Sequence, residues 1–182
     1  MKVSIEPSTN IRLVALAAAR TQGRPIKTLS PETWLRWLHA EHSMIRNYWL
    51  AIDMVGIPYY VSVHLVRHKI GVEHFVRSQR PDSMNPVDYD RRQAPQDALV
   101  SHLMVANAQA LINISQVRLC SKADNATWQV WRAVKQAIQN HPDPYVSAIA
   151  EVMVPRCVYR GGVCHELRSC GDGHHYLDQG DG

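Results

Sequence analysis

A run of basic side chains between positions 64 and 80 is the part of the chain best suited to chemistry. His64, Arg67, His68 and Lys69 lie close together, with aliphatic residues between and after them. Guanidinium, ammonium and imidazole groups are the side chains that bind phosphates and carboxylates. Charges set among aliphatic residues favour a partly buried pocket for an anion, most simply a phosphate. The alternative is a basic helix end that the helix dipole stabilises.

Further polar groups interrupt an apolar pattern that predicts one helix from Gln96 to Arg118. Asn107 and Arg118 are nearly three helical turns apart, so they share one face, whereas Asn113 lies on another. Polar groups on an otherwise apolar helix are costly to bury without partners. They are consistent with a helix that borders two sites in an oligomer, or with ordinary hydrogen bonds between helices.

Three of the four cysteines lie close to one another near the end of the chain. Thiolate and imidazole groups are the usual ligands of structural zinc, so Cys157, Cys164, His165 and Cys170 form a possible metal set. Their spacing is not the paired spacing of zinc knuckles, and free thiols are the alternative reading.

Composition narrows the class of protein. The chain has 182 residues, of which 46% are hydrophobic and 20% charged, and its formal net charge is +4. It contains no apolar run of the roughly 20 residues that a membrane helix needs. We expect a cytoplasmic protein without a signal peptide. The positive charge suits a nucleotide or polyanionic cofactor as well as a nucleic acid, because no long run of cations occurs.

The elements that must position these groups follow from apolar periodicity and from helix-capping residues. We predict a single domain over residues 1–171 and a flexible tail at 172–182. Predicted strands cover 1–7, 44–54 and 72–78, with a loop at 81–95. Predicted helices cover 11–21 after Asn10, 31–39 after Ser30, 59–69, 96–118, 125–139 and 143–153.

Taken in order, several short motifs resemble those of the flavin-dependent thymidylate synthases. That family carries Arg-His-Arg, seven residues and then Ser, where this chain has Arg67-His68-Lys69, seven residues and then Arg77. The other matching segments, from the start of the chain to its end, are Ala17–Thr21, Glu41-His42, Arg91 with Pro95, Asn107-Ala108-Gln109, Asn113, Arg118, Ala126–Gln129 and the cysteine-bearing tail from Pro155 to Gly171.

The resemblance implies an α+β fold with a small, twisted, antiparallel-type sheet packed by helices, and a long central helix at the interface of a homotetramer. It implies methylation of dUMP with FAD, methylenetetrahydrofolate and NADPH, without a nucleophilic cysteine. The cofactor-binding residues it implies are Thr21, His42, Arg67, His68, Lys69, Asn107 and Asn113. The substrate-binding residues it implies are His64, Arg77, Ser78, Gln79, Arg91 and Arg118, of which Arg118 is also the catalytic residue beside the pyrimidine.

The segment from Val72 to Arg80 departs most from the family pattern. Lys69 replaces an arginine, Arg77 stands at the serine position with Ser78 adjacent, and Phe75 stands where the family has glutamate. These departures leave two further hypotheses open. One is a related flavin and folate enzyme acting on a different pyrimidine nucleotide. The other is a non-catalytic module on this fold that binds nucleotides or nucleic acid.

Overall fold

Alternating buried side chains build a four-stranded antiparallel sheet. Its strands are β1 (Lys2–Pro7), β2 (Trp49–Pro58), β3 (Val72–Val76) and β4 (Leu99–Asn107), in the spatial order β1-β2-β4-β3. Successive side chains of a strand point to opposite faces. Along β4, every second residue from Val100 to Ala106 is buried. The predicted α+β class with a small antiparallel sheet is confirmed.

Helices cover the buried side chains of this sheet, and α5 packs on β1 and β2 while α3 packs on β2 and β4. Two fully buried tryptophans, Trp34 and Trp131, fill the space between the helices. The helices are α1 (Ile11–Gln22), α2 (Pro31–His39), α3 (Tyr59–Val66), α4 (Ala108–Arg118), α5 (Asn125–Gln139), α6 (Pro144–Ser147), α7 (Ile149–Val152) and α8 (Arg156–Tyr159).

Capping residues explain why three helices begin where the sequence predicts. Asn10 Oδ1 accepts a hydrogen bond from the Arg12 amide at the start of α1. Ser30 Oγ accepts one from the Thr33 amide, and Pro31 opens α2. Each such bond satisfies an amide that has no partner inside the helix. The predictions for α1, α2 and α5 are confirmed, apart from one residue at the end of α1.

The single helix predicted from Gln96 to Arg118 is wrong. Its first half is β4, which pairs with β2 on one side and with β3 on the other. Apolar residues stand on both faces of β4, so its sequence carries no clear two-residue period, and the buried His102 interrupts the apolar pattern further. Pairing on both edges overrides local helix propensity here. The predicted long central helix is therefore α4 alone, which has 11 residues.

Four other predicted elements differ from the structure. Residues Ser43–Asn47 form a 3₁₀ helix, so the strand predicted at 44–54 begins only at Trp49. The helix predicted at 59–69 ends at Val66, and the strand predicted at 72–78 ends at Val76. The helix predicted at 143–153 is two short helices, because the Glu151 amide bonds to the Ala148 carbonyl and breaks the regular ladder.

The computed structural model describes residues 1–78, 80, 90 and 92–170. The tail predicted at 172–182 lies outside the described residues, as does most of the loop predicted at 81–95. Within the described part of the chain, no helix is long and apolar enough to cross a membrane.

A close contact between Gly71 and Asn107 joins the end of the α3–β3 turn to the start of α4. The Asn107 amide donates to the Gly71 carbonyl at 3.0 Å. Gly71 has a φ of +71°, which side chains other than glycine rarely adopt. A methyl group there would also lie 2.6 Å from Asn107 Nδ2. Both backbone conformation and space therefore require glycine at this position.

We expect Gly71→Ala to lower the free energy of unfolding by about 3 kcal/mol, because it adds steric overlap to backbone strain. Gly23→Ala is the matched control, since Gly23 has a φ of +61° but no atom within 4 Å of an added methyl group. Gly23→Ala should lower the free energy of unfolding by only about 1 kcal/mol. Urea unfolding followed by circular dichroism measures both losses, and equal losses would contradict the role of the Asn107 contact.

Candidate functional site

Arg118, the last residue of α4, binds both the end of α3 and the turn that follows it. Its Nε donates to His68 Nε2 at 2.9 Å, and its Nη2 donates to the backbone oxygen of His64 at 2.9 Å. A guanidinium at this place satisfies a carbonyl that the helix itself leaves without a partner. Three residues predicted for the site, His64, His68 and Arg118, are thus brought together.

The charges around this pair are arranged for an anion. Burial, and then the charge of Arg118, lower the pKa of His68 to about 4. Its imidazole is therefore neutral at pH 7 and accepts the Arg118 hydrogen bond. Burial and the nearby charge of Arg67 also lower the pKa of Arg118. Among the described residues the only ion pair joins Arg92 and Asp90. No described carboxylate forms an ion pair with Arg67, Lys69 or Arg118.

Two further histidines hold the turn that carries His68. His74 Nε2 lies 2.8 Å from the His68 carbonyl oxygen, and His74 Nδ1 lies 2.9 Å from His102 Nε2. A carbonyl only accepts, so His74 donates through Nε2, and one hydrogen lies between His74 Nδ1 and His102 Nε2. His102 Nδ1 is buried without a partner among the described residues. Sequence analysis missed both residues, because single histidines in strands give no periodic signal.

Asn107 has a different place from the predicted one. It precedes α4 as its cap, with Oδ1 accepting from the Ala110 amide at 2.9 Å, so it shares no helix face with Arg118. The predicted shared face is wrong because the strand continues to Asn107. The buried Asn107 side chain still keeps amide N–H donors beside Gly71.

A second polar cluster lies beside the first half of α4. Gln109 Nε2 donates to Glu41 and, at 3.3 Å, to Asn113 Oδ1. Tyr159 on α8 also donates to Glu41, which raises the pKa of the Tyr159 hydroxyl. Glu41 has a φ of +48°, a strained conformation for a residue with a side chain. Such strain is often kept at functional sites, and the exposed His42 follows directly.

The remaining predicted residues are spread over the surface. Thr21 is exposed at the end of α1, and its hydroxyl donates to the Ala18 carbonyl. Arg67 and Lys69 are exposed beside His68, and Arg77 is exposed just after β3. Ser78 Oγ accepts from the Arg80 amide at 3.2 Å. The predicted substrate residues Gln79 and Arg91 lie outside the described residues.

A cavity of about 480 Å³ opens beside Arg118. One wall is a chain of hydrogen bonds, in which His64 Nδ1 lies 2.8 Å from Thr127 Oγ1 and Thr127 Oγ1 lies 3.0 Å from Asp124 Oδ2. Sequence analysis missed Asp124 and Thr127 as site residues, because they also form an ordinary helix cap. The cavity is lined by His64, Gln116–Asp124, Trp128, Pro155–Cys157, Cys164–Glu166 and Cys170.

Cys157, Cys164 and Cys170 form no disulfide with one another, and burial raises the pKa of Cys157. Over residues 1–78, 80, 90 and 92–170, no group of three or more His, Cys, Asp or Glu side chains is placed to hold a metal ion. The possible metal set that includes His165 therefore does not converge in this fold.

Solved structures of a thymidylate synthase and of a UMP/dUMP methylase resemble this fold. The flavin-dependent thymidylate synthase ThyX from Helicobacter pylori, complexed with FAD and dUMP, is 14% identical and superposes with a TM-score of 0.65. That match covers 85% of this chain and 100% of the other. The UMP/dUMP methylase PolB from Streptomyces cacaoi, bound with 5-Br dUMP, is 12% identical with a TM-score of 0.60, covering 85% and 97%. At these identities the likeness shows the fold.

Comparison by sequence adds nothing to this result. No protein-family model matches the chain, and no curated protein matches it.

We expect the free energy of unfolding to fall as the pH falls from 7 to 5. Burial, followed by the charge of His74, lowers the pKa of His102 from 6.5 to about 4. The unfolded chain therefore takes up a proton on His102 in a pH range where the folded chain does not, and acid favours unfolding. Over this range His102 should account for about 2 kcal/mol. Urea unfolding at both pH values measures the fall.

His102→Gln is the matched variant, since it keeps a polar side chain but removes the titrating group. Its stability should fall less between pH 7 and pH 5 than that of the unaltered protein. An identical pH dependence in the two proteins would show that His102 is not held neutral in the fold.

Proposed function

We propose that the chain is a flavin-dependent enzyme that methylates dUMP to dTMP, with methylenetetrahydrofolate and NADPH as co-substrates. The observation that carries the proposal is the cationic group of Arg67, Lys69 and Arg118 around the neutral His68. Three cations that share no described carboxylate are a site for phosphates, which they bind by charge-assisted hydrogen bonds. The order of the family's motifs in the sequence and the shared fold support the same reaction.

The residues present suit FAD. Its diphosphate needs cationic donors, and Arg67 and Lys69 are exposed, two residues apart in sequence and without a described carboxylate partner. Its ring system needs hydrogen-bonding groups, which His42, Asn113 and Thr21 supply from exposed positions. FAD would supply the electron and group transfer when bound, whereas the protein binds and orients the reactants.

The two polar clusters lie at different ends of α4, one at Gln109 and Asn113 and the other at Arg118. A single chain therefore presents two partial sites rather than one closed site. We propose a homotetramer in which a partial site of one subunit is completed by the other partial site of a neighbour. This arrangement would also explain why Arg67, Lys69 and Arg118 form no ion pair with a described carboxylate.

Arg118 is the proposed catalytic residue. Its guanidinium is held by His68 and by the backbone of His64, so it reaches the cavity in a fixed orientation. A fixed cation beside a pyrimidine carbonyl oxygen stabilises the negative charge that develops there when carbon 5 reacts. Because the orientation is set before the substrate arrives, little reorganisation is needed during the reaction.

A second candidate is methylation of UMP, or of both nucleotides. Phe75 is 59% exposed on β3, where the related family has a glutamate, so this chain presents a different surface to the nucleotide. The same fold in PolB, a UMP/dUMP methylase, is consistent with a change of acceptor.

We expect the purified protein to take up FAD, and Arg67→Ala to weaken FAD binding about tenfold, because one charge-assisted hydrogen bond to phosphate is lost. Titration followed by flavin fluorescence measures the affinity. Arg36→Ala is the control, since Arg36 is an exposed cation on α2 that bonds only to Thr33. A wild-type protein that stays colourless and takes up no FAD would falsify the proposed function.

Arg118→Ala should lower the rate of tritium release from dUMP labelled at carbon 5 by about 10²–10³-fold, since the charge on the carbonyl is no longer stabilised. The rate for Arg118→Lys should lie between those of Arg118→Ala and the unaltered protein, because lysine keeps the charge but not the planar fork that reaches both His68 and His64. Arg36→Ala should match the unaltered protein. Running the same assay with labelled UMP separates the two candidate acceptors, and equal rates for the Arg118 variants and the unaltered protein would exclude the catalytic role.

A further inference from the structure

The hydrogen-bond partners of His64 determine which ring nitrogen carries a hydrogen. A hydrogen bond from the Thr127 amide lowers the pKa of Asp124, which is therefore a carboxylate and can only accept. The Thr127 hydroxyl has one hydrogen and lies 3.0 Å from Asp124 Oδ2, so it donates there. Thr127 Oγ1 must then accept from His64 Nδ1, 2.8 Å away. A hydrogen of the His64 ring is thereby fixed on Nδ1.

A neutral imidazole with its hydrogen on Nδ1 offers only an acceptor at Nε2. His64 lines the 480 Å³ cavity, so this nitrogen is what its ring can present to an occupant. The ring is held in place on its other side by an edge contact with Tyr60, at 5.9 Å between ring centroids. Thr127 is fully buried, which keeps water from competing for its oxygen.

Arg118 offers the complementary donor. Its Nε and Nη2 are used by His68 and by the His64 backbone, whereas Nη1 has no partner among the described residues. Because Arg118 bonds to the main chain of His64 itself, the two residues are held next to each other. Both residues line the same cavity, so an occupant can meet a cationic N–H and the His64 ring there.

We propose that His64, with its hydrogen fixed by Thr127 and Asp124, is the residue that selects uracil over cytosine nucleotides. The inference rests on the proposed function, in which Arg118 contacts a pyrimidine carbonyl. The neighbouring ring atom able to form a hydrogen bond is then N3. N3 of uracil carries a hydrogen and can donate to His64, whereas N3 of cytosine is an acceptor and would face a second acceptor. A site built in this way rejects the ligand that leaves its polar group unpaired.

The test compares the binding of dUMP and dCMP to the FAD-loaded protein by isothermal titration calorimetry. We expect the unaltered protein to prefer dUMP by at least about tenfold. Thr127→Val removes the acceptor for Nδ1 while keeping the shape of the side chain, which frees the ring to carry its hydrogen on Nε2. The ratio of the dUMP and dCMP affinities should then fall about tenfold. Thr127→Ser keeps the hydroxyl and should keep the ratio.

His64→Phe provides an independent variant in case Thr127→Val does not fold. It keeps an aromatic ring but has no acceptor, so its affinity ratio should also fall about tenfold. The ratio is the informative measurement, because a structural defect would weaken the binding of both nucleotides alike. Ratios that stay unchanged in both variants would overturn the role of His64 and leave the proposed function standing. A protein that takes up neither FAD nor dUMP would overturn both.

Discussion

The hydrogen bonds of Arg118 to His68 and to the His64 backbone are the interaction on which the candidate site depends. They join two helices that are far apart in sequence, and they exist only because β4 and α4 follow each other without a loop. The pairing of β4 with both β2 and β3 sets where α4 begins, and the length of α4 sets where Arg118 lies. A cation held in this way is already oriented before a substrate arrives, which is the condition for electrostatic catalysis.

The sheet contains a buried polar side chain that supports this geometry at a cost in stability. His102 is fully buried between apolar neighbours and supports His74, which holds the carbonyl of His68. A buried imidazole with an unpartnered nitrogen costs stability compared with an apolar side chain. The strained backbone of Glu41 is a second cost, at the other polar cluster. Both costs fall next to candidate site residues, one at a buried position and the other at the surface.

Local signals in the sequence predicted much of the fold. Asn10 and Ser30 gave two helix starts, and the apolar spacing around Trp131 gave α5 with its bounds. The order of short motifs indicated the fold that the solved structures share. Leu99–Asn107 was misread because its faces are both apolar and its partners are distant in sequence. His68 was predicted to bind the cofactor and Arg118 the substrate. Their mutual contact was not predicted, and neither were the supporting His74, His102, Thr127 and Asp124, because these roles arise only from contacts made by folding.

The hydrogen bond that places Arg118 does not involve the side chain at position 64, which is the part of that residue proposed to recognise the ligand. It bonds to the main-chain oxygen at position 64, which every amino acid possesses, and not to the side chain there. A different residue at position 64 would therefore leave the guanidinium where it is while changing what stands beside it. Under the proposed role of His64, one substitution there would change ligand preference without rebuilding the charged centre, which makes position 64 a practical starting point for redesign.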